Sequence, residues 1–380
     1  MESPADRLDR LASSLPRRTP RRDLADVSEL AARVALRPPA RVVAVVGTNG
    51  KTSTATFLIR LLAAGGLRVG LTVSPHLSRW SERILVDGAE VDAATIADRV
   101  ARLADAGAGL DLRFFDLVTF AAAQLFDEHR VDVGVFEAGI GGRLDATRTL
   151  LPQLVLLTSV ALDHTELLGG DEPAILAEKL GVAAPGTVVL SAPLGVELED
   201  EARRLAVRGG LRLEFPAIAS PNVLGRNTEL ARAAAARILG GTVATGDPGA
   251  VRGRLQRENV DGVEVLLDAA HNPQAWNALA AELPERFVAV VSVSSDKAPA
   301  QLAAALQGAA EVVATTAWPG RSLPASELAA AVRGEVVEDP RAATRAGLAR
   351  ARTLGVPLAV FGSAYLLRHA FDALGLADPA

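Results

Sequence analysis

Two hydrophobic periods alternate along this chain. Short runs dominated by valine, leucine and isoleucine, such as "RVVAVVG" at 41–47, "RVGLTVS" at 68–74, "VDVGVFEAG" at 131–139 and "QLVLLTSVA" at 153–161, read as strands buried on both faces. Between them lie alanine-rich stretches with helical spacing. "TSTATFLIRLLAAGG" (52–66) is stopped by Gly65 and Gly66, "DLVTFAAAQLFDEH" (116–129) follows, and "EPAILAEKLGVAAPG" (172–186) is stopped by Pro185 and Gly186. Strands alternating with helices in this way predict βαβ units, and hence a mainly parallel sheet covered by helices.

After the helical stretch "TELARAAAARILGG" (228–241) the pattern gives way to "TVATGDPGAVRGR" (242–254), rich in glycine and small residues. The alternation then restarts, with "VEVLLDAA", "RFVAVVSV", "EVVATTA" and "PLAVFGS" as strands. A domain boundary near residue 245 follows. The first domain spans 1–245, with a helical segment at its N-terminus, and a second, smaller α/β domain spans 246–380. No internal repeat or low-complexity tract is visible.

Composition narrows the chemistry. At 380 residues and 49% hydrophobic the chain can build two cores. The net charge is −5, and outside "RRTPRRD" (17–23), read as a solvated face, no basic run offers a footprint for nucleic acid. No apolar run approaches bilayer length, and the N-terminus "MESPADRLDRL" is charged and amphipathic, unlike a secretory signal. The expectation is a cytoplasmic, monomeric protein acting on small molecules, without nucleic-acid or membrane partners. The absence of cysteine excludes disulfides, thiol nucleophiles and cysteine-ligated zinc, so any metal must use oxygen or histidine ligands.

One stretch announces its ligand. "VVGTNGKTST" follows a strand and opens a helix, the context in which small residues let backbone N–H groups approach phosphates at a helix N-terminus. The strict Walker pattern wants a glycine five positions before Gly50; Val45 stands there and Gly47 serves instead. Thr48, Asn49, Gly50 and Lys51 form the candidate phosphate loop. Of 40 Lys plus Arg only Lys51, Lys179 and Lys297 are lysine, and at Lys51 a compact ammonium suits the space between two phosphates better than a planar guanidinium.

Glu137 closes the strand in "VFEAGIGGRLDAT", and Asp163 and His164 lie just past the next strand in "SVALDHTE". Taken singly, Glu137 could cap a loop and His164 could be a structural histidine. If their strands emerge beside the phosphate loop, both converge with the Ser74 hydroxyl on the terminal phosphate, and such hard ligands favour Mg²⁺. The Phe114-Phe115 pair admits a core role or contact with a flat aromatic substrate. Lys179 reads either as a surface lysine paired with a glutamate or as a primary amine needed for its chemistry.

Together, "GTNGKTS", "SPHLSRWSERI", "FFDLVTFAAAQLF", "EAGIGGRLDAT", "LDHTELLG", "AEKLGV", "LLDAAHNPQAW", "SSDK" and "FGSAYL", in this order, resemble the folylpolyglutamate synthase and dihydrofolate synthase family within the Mur ligase superfamily. The resemblance covers residues 38–190 closely and 250–370 more loosely; "SPHL" with "GGRLDAT" and "DHTE" narrows it to the folate branch. It implies a P-loop Mur-ligase-type central domain with a mainly parallel sheet and a Rossmann-like C-terminal α/β domain. The implied activity is ATP-dependent addition of L-glutamate to dihydropteroate or a folate through an acyl phosphate. A Mur-type ligase acting on another carboxylate, or a non-catalytic nucleotide-binding relative, are the alternatives.

By the same resemblance, Thr48 to Thr52 would hold ATP with Arg254 and Asp268 of the second domain. Ser74, Glu137 and His164 would bind Mg²⁺, with two ions in all. Phe114, Phe115, Asp116, Asp145 and Ala146 would contact the acceptor, and His271 would lie near the incoming glutamate. Lys179 matches a lysine carried as a carbamate, which would serve as a metal-site ligand. There are departures too: Thr52 stands where the family has glycine, Arg148 replaces the asparagine of "DATN", and the segment between Pro185 and Pro221 is short. On the adenine helix Thr228 and Ala231 occupy the places of a Gln and an Asn, with Asn227 as the available substitute.

Overall fold

The computed structural model of the chain describes residues 2–15, 23–241, 243 and 246–376. Position 245 and residues 17–22 of the arginine-rich stretch lie outside them. The chain divides into two compact units, Met1–Gly249 and Ala250–Ala380.

The first unit is built on eight strands: β1 (Arg41–Val46), β2 (Val69–Thr72), β3 (Ile84–Val86), β4 (Ala89–Glu90), β5 (Val133–Glu137), β6 (Leu154–Leu157), β7 (Val188–Ser191) and β8 (Arg212–Glu214). Their order is β4-β3-β2-β5-β1-β6-β7-β8. From β2 to β8 every pairing is parallel, whereas β3 and β4 extend one edge as antiparallel strands. The central strands are apolar throughout because helices cover both faces. Within β1, Val42, Ala44 and Val46 share one face and divide between two cores, Val42 with Trp80, Phe120 and Phe136, and Ala44 and Val46 with Val155, Ile175 and Leu176. One face of the strand thus serves two neighbouring hydrophobic cores.

Register positions the site. Val45 lies opposite Glu137 of β5, Val46 opposite Leu157 of β6, and Thr72 of β2 opposite Phe136. Four adjacent parallel strands, β2, β5, β1 and β6, therefore end level, and the loops after them leave the same edge of the sheet. Parallel α/β sheets place their ligands at this carboxyl edge.

The second unit carries β9 (Gln256–Val260), β10 (Val263–Leu267), β11 (Phe287–Val291), β12 (Ala309–Ala314), β13 (Glu335–Val336) and β14 (Leu358–Phe361) in the order β13-β12-β11-β14-β10-β9. All pairings are parallel except β9 with β10. Its core gathers Trp276, Phe287, Leu302, Leu328 and Phe361.

Candidate active site

The loop after β1 runs straight into the helix Lys51–Ala64, with Gly50 as its N-cap at φ 85°. That left-handed backbone suits glycine, and a Cβ there would lie 2.6 Å from Asn227 Oδ1. Thr48 N–H donates to Ser159 O at 2.9 Å, Asn49 N–H to Ser159 Oγ at 2.9 Å, and Thr158 Oγ1 donates to Asn49 O at 2.6 Å. The end of β6 thus fixes the loop's shape. Lys51 Nζ folds back to donate to Gly47 O at 3.0 Å and Thr48 O at 3.1 Å, so the ammonium lies over the loop. With no acidic residue in the first turn, the positive end of this helix is open to an anion.

Glu137, at the end of β5, is buried at 2% exposure. Thr52 Oγ1 lies 3.1 and 3.0 Å from its two carboxylate oxygens, and Ser74 N–H donates to Oε2 at 3.3 Å. The loops after β1, β2 and β5 therefore meet on one carboxylate. His164 occupies a left-handed position, φ 51°, before the short helix Thr165–Leu168, and its N–H donates to Asp163 Oδ1 at 3.0 Å. The Glu137 carboxylate and the Thr52 hydroxyl bonded to it are hard oxygen donors. Among the described residues no group of three or more His, Asp or Glu side chains forms a metal cage. That sparse set fits Mg²⁺, which keeps water and phosphate oxygens in much of its shell and takes one or two carboxylates from protein.

Lys179 is not on the surface. It sits in the last turn of the helix Glu172–Leu180, four residues after Ile175 and three after Leu176, so it shares their core-facing side. Only 3% of it is exposed. Burial, reinforced by the charge of Lys51 and opposed by Asp163, pushes its amine down to about 7. Lys51 and Asp163 are thus the two charges that act on it.

Phe114, Phe115 and Asp116 open the helix Phe114–Glu128. A Cβ on Gly139 would touch both the Phe115 ring and Asp145 Oδ2 at 3.3 Å, which puts aromatic face and carboxylate side by side. Asp145 is buried; it accepts from Gly139 N at 2.9 Å and Thr147 N at 2.9 Å, and caps the 3₁₀ turn that begins at Ala146. Burial raises its carboxyl above the ordinary range against those bonds, and Asp116 raises it further. Phe114 instead packs edge-on against Trp80, centroids 5.1 Å apart.

In the second unit, Asp268 follows β10 and accepts from Leu255 N and Ala270 N, both at 2.7 Å. Burial raises its carboxyl, opposed first by the charge of Arg254. His271 Nδ1 lies 3.0 Å from Ala269 O.

Comparison with known proteins places these features. Residues 253–363 match the family model described as Mur ligase, glutamate ligase domain. The dihydrofolate synthase/folylpolyglutamate synthase of Escherichia coli (strain K12) is 32% identical over 305 residues, covering 71% of this chain and 72% of that protein. This chain belongs to the dihydrofolate synthase/folylpolyglutamate synthase family. Its solved structures share the fold: E. coli FolC in complex with DHPP and ADP superposes with a TM-score of 0.87 at 27% identity, covering 98% of both chains. The Yersinia pestis bifunctional folylpolyglutamate synthase/dihydrofolate synthase complexed with AMPPNP and Mn ion gives 0.85 at 28%, also over 98% of both.

The chain is thus an ATP-dependent ligase of the dihydrofolate synthase/folylpolyglutamate synthase family, with the two-unit α/β architecture the sequence predicts. Two features of the site escape the sequence. The bond from Thr52 joins the first turn of the helix after β1 to the buried carboxylate of Glu137. Asn227, 5% exposed against Gly50, has a buried Nδ2 with no hydrogen-bond partner among the described residues.

Proposed function

We propose that the chain joins L-glutamate to dihydropteroate, to a folate, or to both, with ATP activating the acceptor carboxylate as an acyl phosphate. The supporting observation is that Glu137, at the end of β5, is bonded to Thr52 just after the β1 loop, while the loop after β5 carries Gly139 and Asp145 against the Phe115 ring. The acceptor carboxylate attacks the γ-phosphorus, the bond to the ADP oxygen breaks, and the glutamate amine then displaces phosphate from the acyl carbon. No enzyme nucleophile is needed. Catalysis of the first step is positioning and charge neutralisation, so the Lys51 ammonium beside the helix N-terminus would stabilise charge on the transferring group.

Ser74, Glu137 and His164 would hold Mg²⁺, which when bound supplies neutralisation of phosphate charge. Phe115 would stack on the acceptor's heterocycle, while Asp145 and Asp116 accept its N–H groups. Thr48 to Thr52 are assigned to ATP with Arg254 and Asp268, and His271 to the incoming glutamate. The orphan Nδ2 of Asn227 suits an acceptor atom of the nucleotide. Lys179 is assigned as a carbamate: a buried primary amine with a depressed pKa can lose its proton and add CO₂, becoming an anion beside the metal site. Arginine stays protonated and cannot. The expected product is ADP, released only when glutamate and either dihydropteroate or a reduced folate are both present. Running the two acceptors separately decides between one activity and two, and ADP release independent of both overturns the assignment.

A further inference from the structure

The segment from Ala138 to Asp145 connects Glu137, on the metal side, to Asp145, on the acceptor side. Midway it presses against the helix that carries Lys179. Arg143 N–H donates to Glu178 O at 2.7 Å, satisfying a carbonyl in that helix's last turn, and Arg143 Nε donates to Glu178 Oε1 at 2.7 Å. Backbone meets backbone here. A Cβ on Gly142 would lie 2.5 Å from Lys179 O, and a Cβ on Gly181 would lie 2.5 Å from Arg143 Cβ. The segment also reaches the His164 side, since a Cβ on Gly141 would come within 2.9 Å of Leu168. Its other end is pinned where Gly139 N–H donates to Asp145 Oδ2.

We propose that Arg143 and Glu178 are positioning residues that clamp the segment 138–145 to the last turn of the Lys179 helix, so that acceptor contacts and Lys179 keep a fixed spacing. This inference rests on the assignment of Lys179 to the reaction. Glu178 takes two bonds from a single residue of the segment, one on its backbone and one on its side chain. That geometry fixes both position and rotation of the turn from which Lys179 projects. Stability gives little reason for the pair. The Arg143 side chain is 47% exposed and that of Glu178 20%, and ion pairs so placed contribute little to folding. A small displacement of a reacting group, in contrast, costs turnover heavily.

The test measures kcat, acceptor KM and melting temperature for Glu178→Gln, Arg143→Gln and the double variant, in the parent and in a Lys179→Ala background. In the parent, each single change is expected to lower kcat by roughly tenfold, within the range that misplacement produces. The double variant should be no worse than either single, and the melting temperature should hold. In the Lys179→Ala background the same changes should leave the residual kcat unaltered, because the residue they position is gone. Gly142→Ala, which drives a methyl onto Lys179 O, should reproduce the kcat loss without touching either charge. Equal losses in both backgrounds, normal kcat in the parent, or a kcat loss that tracks melting temperature would each overturn the clamp. Near-normal turnover of Lys179→Ala itself would overturn the assignment of Lys179 instead, and a collapse of Lys179→Ala beside a normal Glu178→Gln would overturn the clamp alone.

Discussion

Each unit holds a desolvated carboxylate, and the charges around the two act in opposite directions. Asp268 accepts two backbone N–H bonds and has the charge of Arg254 to oppose its desolvation. Asp145 also accepts two N–H bonds, but the charge acting on it is that of Asp116, of the same sign. The same imbalance recurs with cations, since Lys179 is buried under the repulsion of Lys51. Asp268 thus has a counter-charge within its own unit, whereas Asp145 faces a like charge and Lys179 faces one that Asp163 only partly offsets. Like-charge arrangements cost stability unless a ligand resolves them. The first unit is where phosphates, metal and acceptor would supply the missing partners.

If so, the largest effects belong to the first unit's cations. Lys51→Ala should lower turnover by about 10³-fold, on the scale of losing one preorganised donor to developing charge, with the circular dichroism spectrum retained. Turnover within tenfold of the parent would remove Lys51 from the reaction. Next comes Lys179. Lys179→Arg keeps the positive charge and should be nearly as damaging as Lys179→Ala, because only a primary amine forms a carbamate. With ¹³C-bicarbonate, a carbamate carbon signal should grow as pH rises through about 7, where the neutral amine appears, and be absent in Lys179→Arg. Acetate should partly restore the alanine variant and not the arginine one.

This contrast between the units was only half legible in the sequence. β1, β5, β6, β10, β11 and β14 announce themselves because strands buried on both faces become continuous apolar runs. The antiparallel additions do not: β3 and β4 are short, and these two and β9 are partly exposed. Each hairpin carried a signal nonetheless, an Asp-Gly pair, Asp87-Gly88 and Asp261-Gly262, with positive φ at both residues. Phosphate loop, Glu137 and His164 are readable because loop chemistry follows strand ends. The depth of Lys179 is legible in its spacing from Ile175 and Leu176, and the reading as a surface lysine paired with a glutamate fails because the residue is buried. Contacts between segments far apart in sequence, such as Thr52 with Glu137 and Asn227 with Gly50, leave no local periodicity to read.

The Thr52 contact sharpens the comparison at intermediate scale. Glu137→Gln should raise the Mg²⁺ concentration for half-maximal activity, because a carboxylate is lost from a site with few protein ligands. Thr52→Val, which keeps shape and removes the hydroxyl bonded to both Glu137 oxygens, should shift the same midpoint in the same direction by less. In a Glu137→Gln background the valine change should add little, since the two act on one ligand. Additive shifts would show that Thr52 meets the metal or phosphate independently of Glu137.

The smallest expected effect lies in the second unit and concerns stability as a function of pH. Burial raises Asp268, so its folded pKa exceeds the unfolded one. For such a carboxyl the folded state binds the proton more tightly, and stability present below the unfolded pKa is lost as pH rises through the folded value. Arg254 opposes this by favouring the charged form. Arg254→Gln removes the opposition, so the folded pKa climbs further and the loss on raising pH deepens. The variant should therefore match the parent near pH 3.5, where the carboxyl is largely protonated whether folded or not, and fall behind it by roughly 1–3 kcal/mol at pH 8, the cost of a buried charged group short of one partner. Denaturant midpoints of the second unit at the two pH values measure the difference. A deficit independent of pH would mean that Arg254 acts through packing, and that Asp268 is stabilised by its two backbone bonds as Asp145 is.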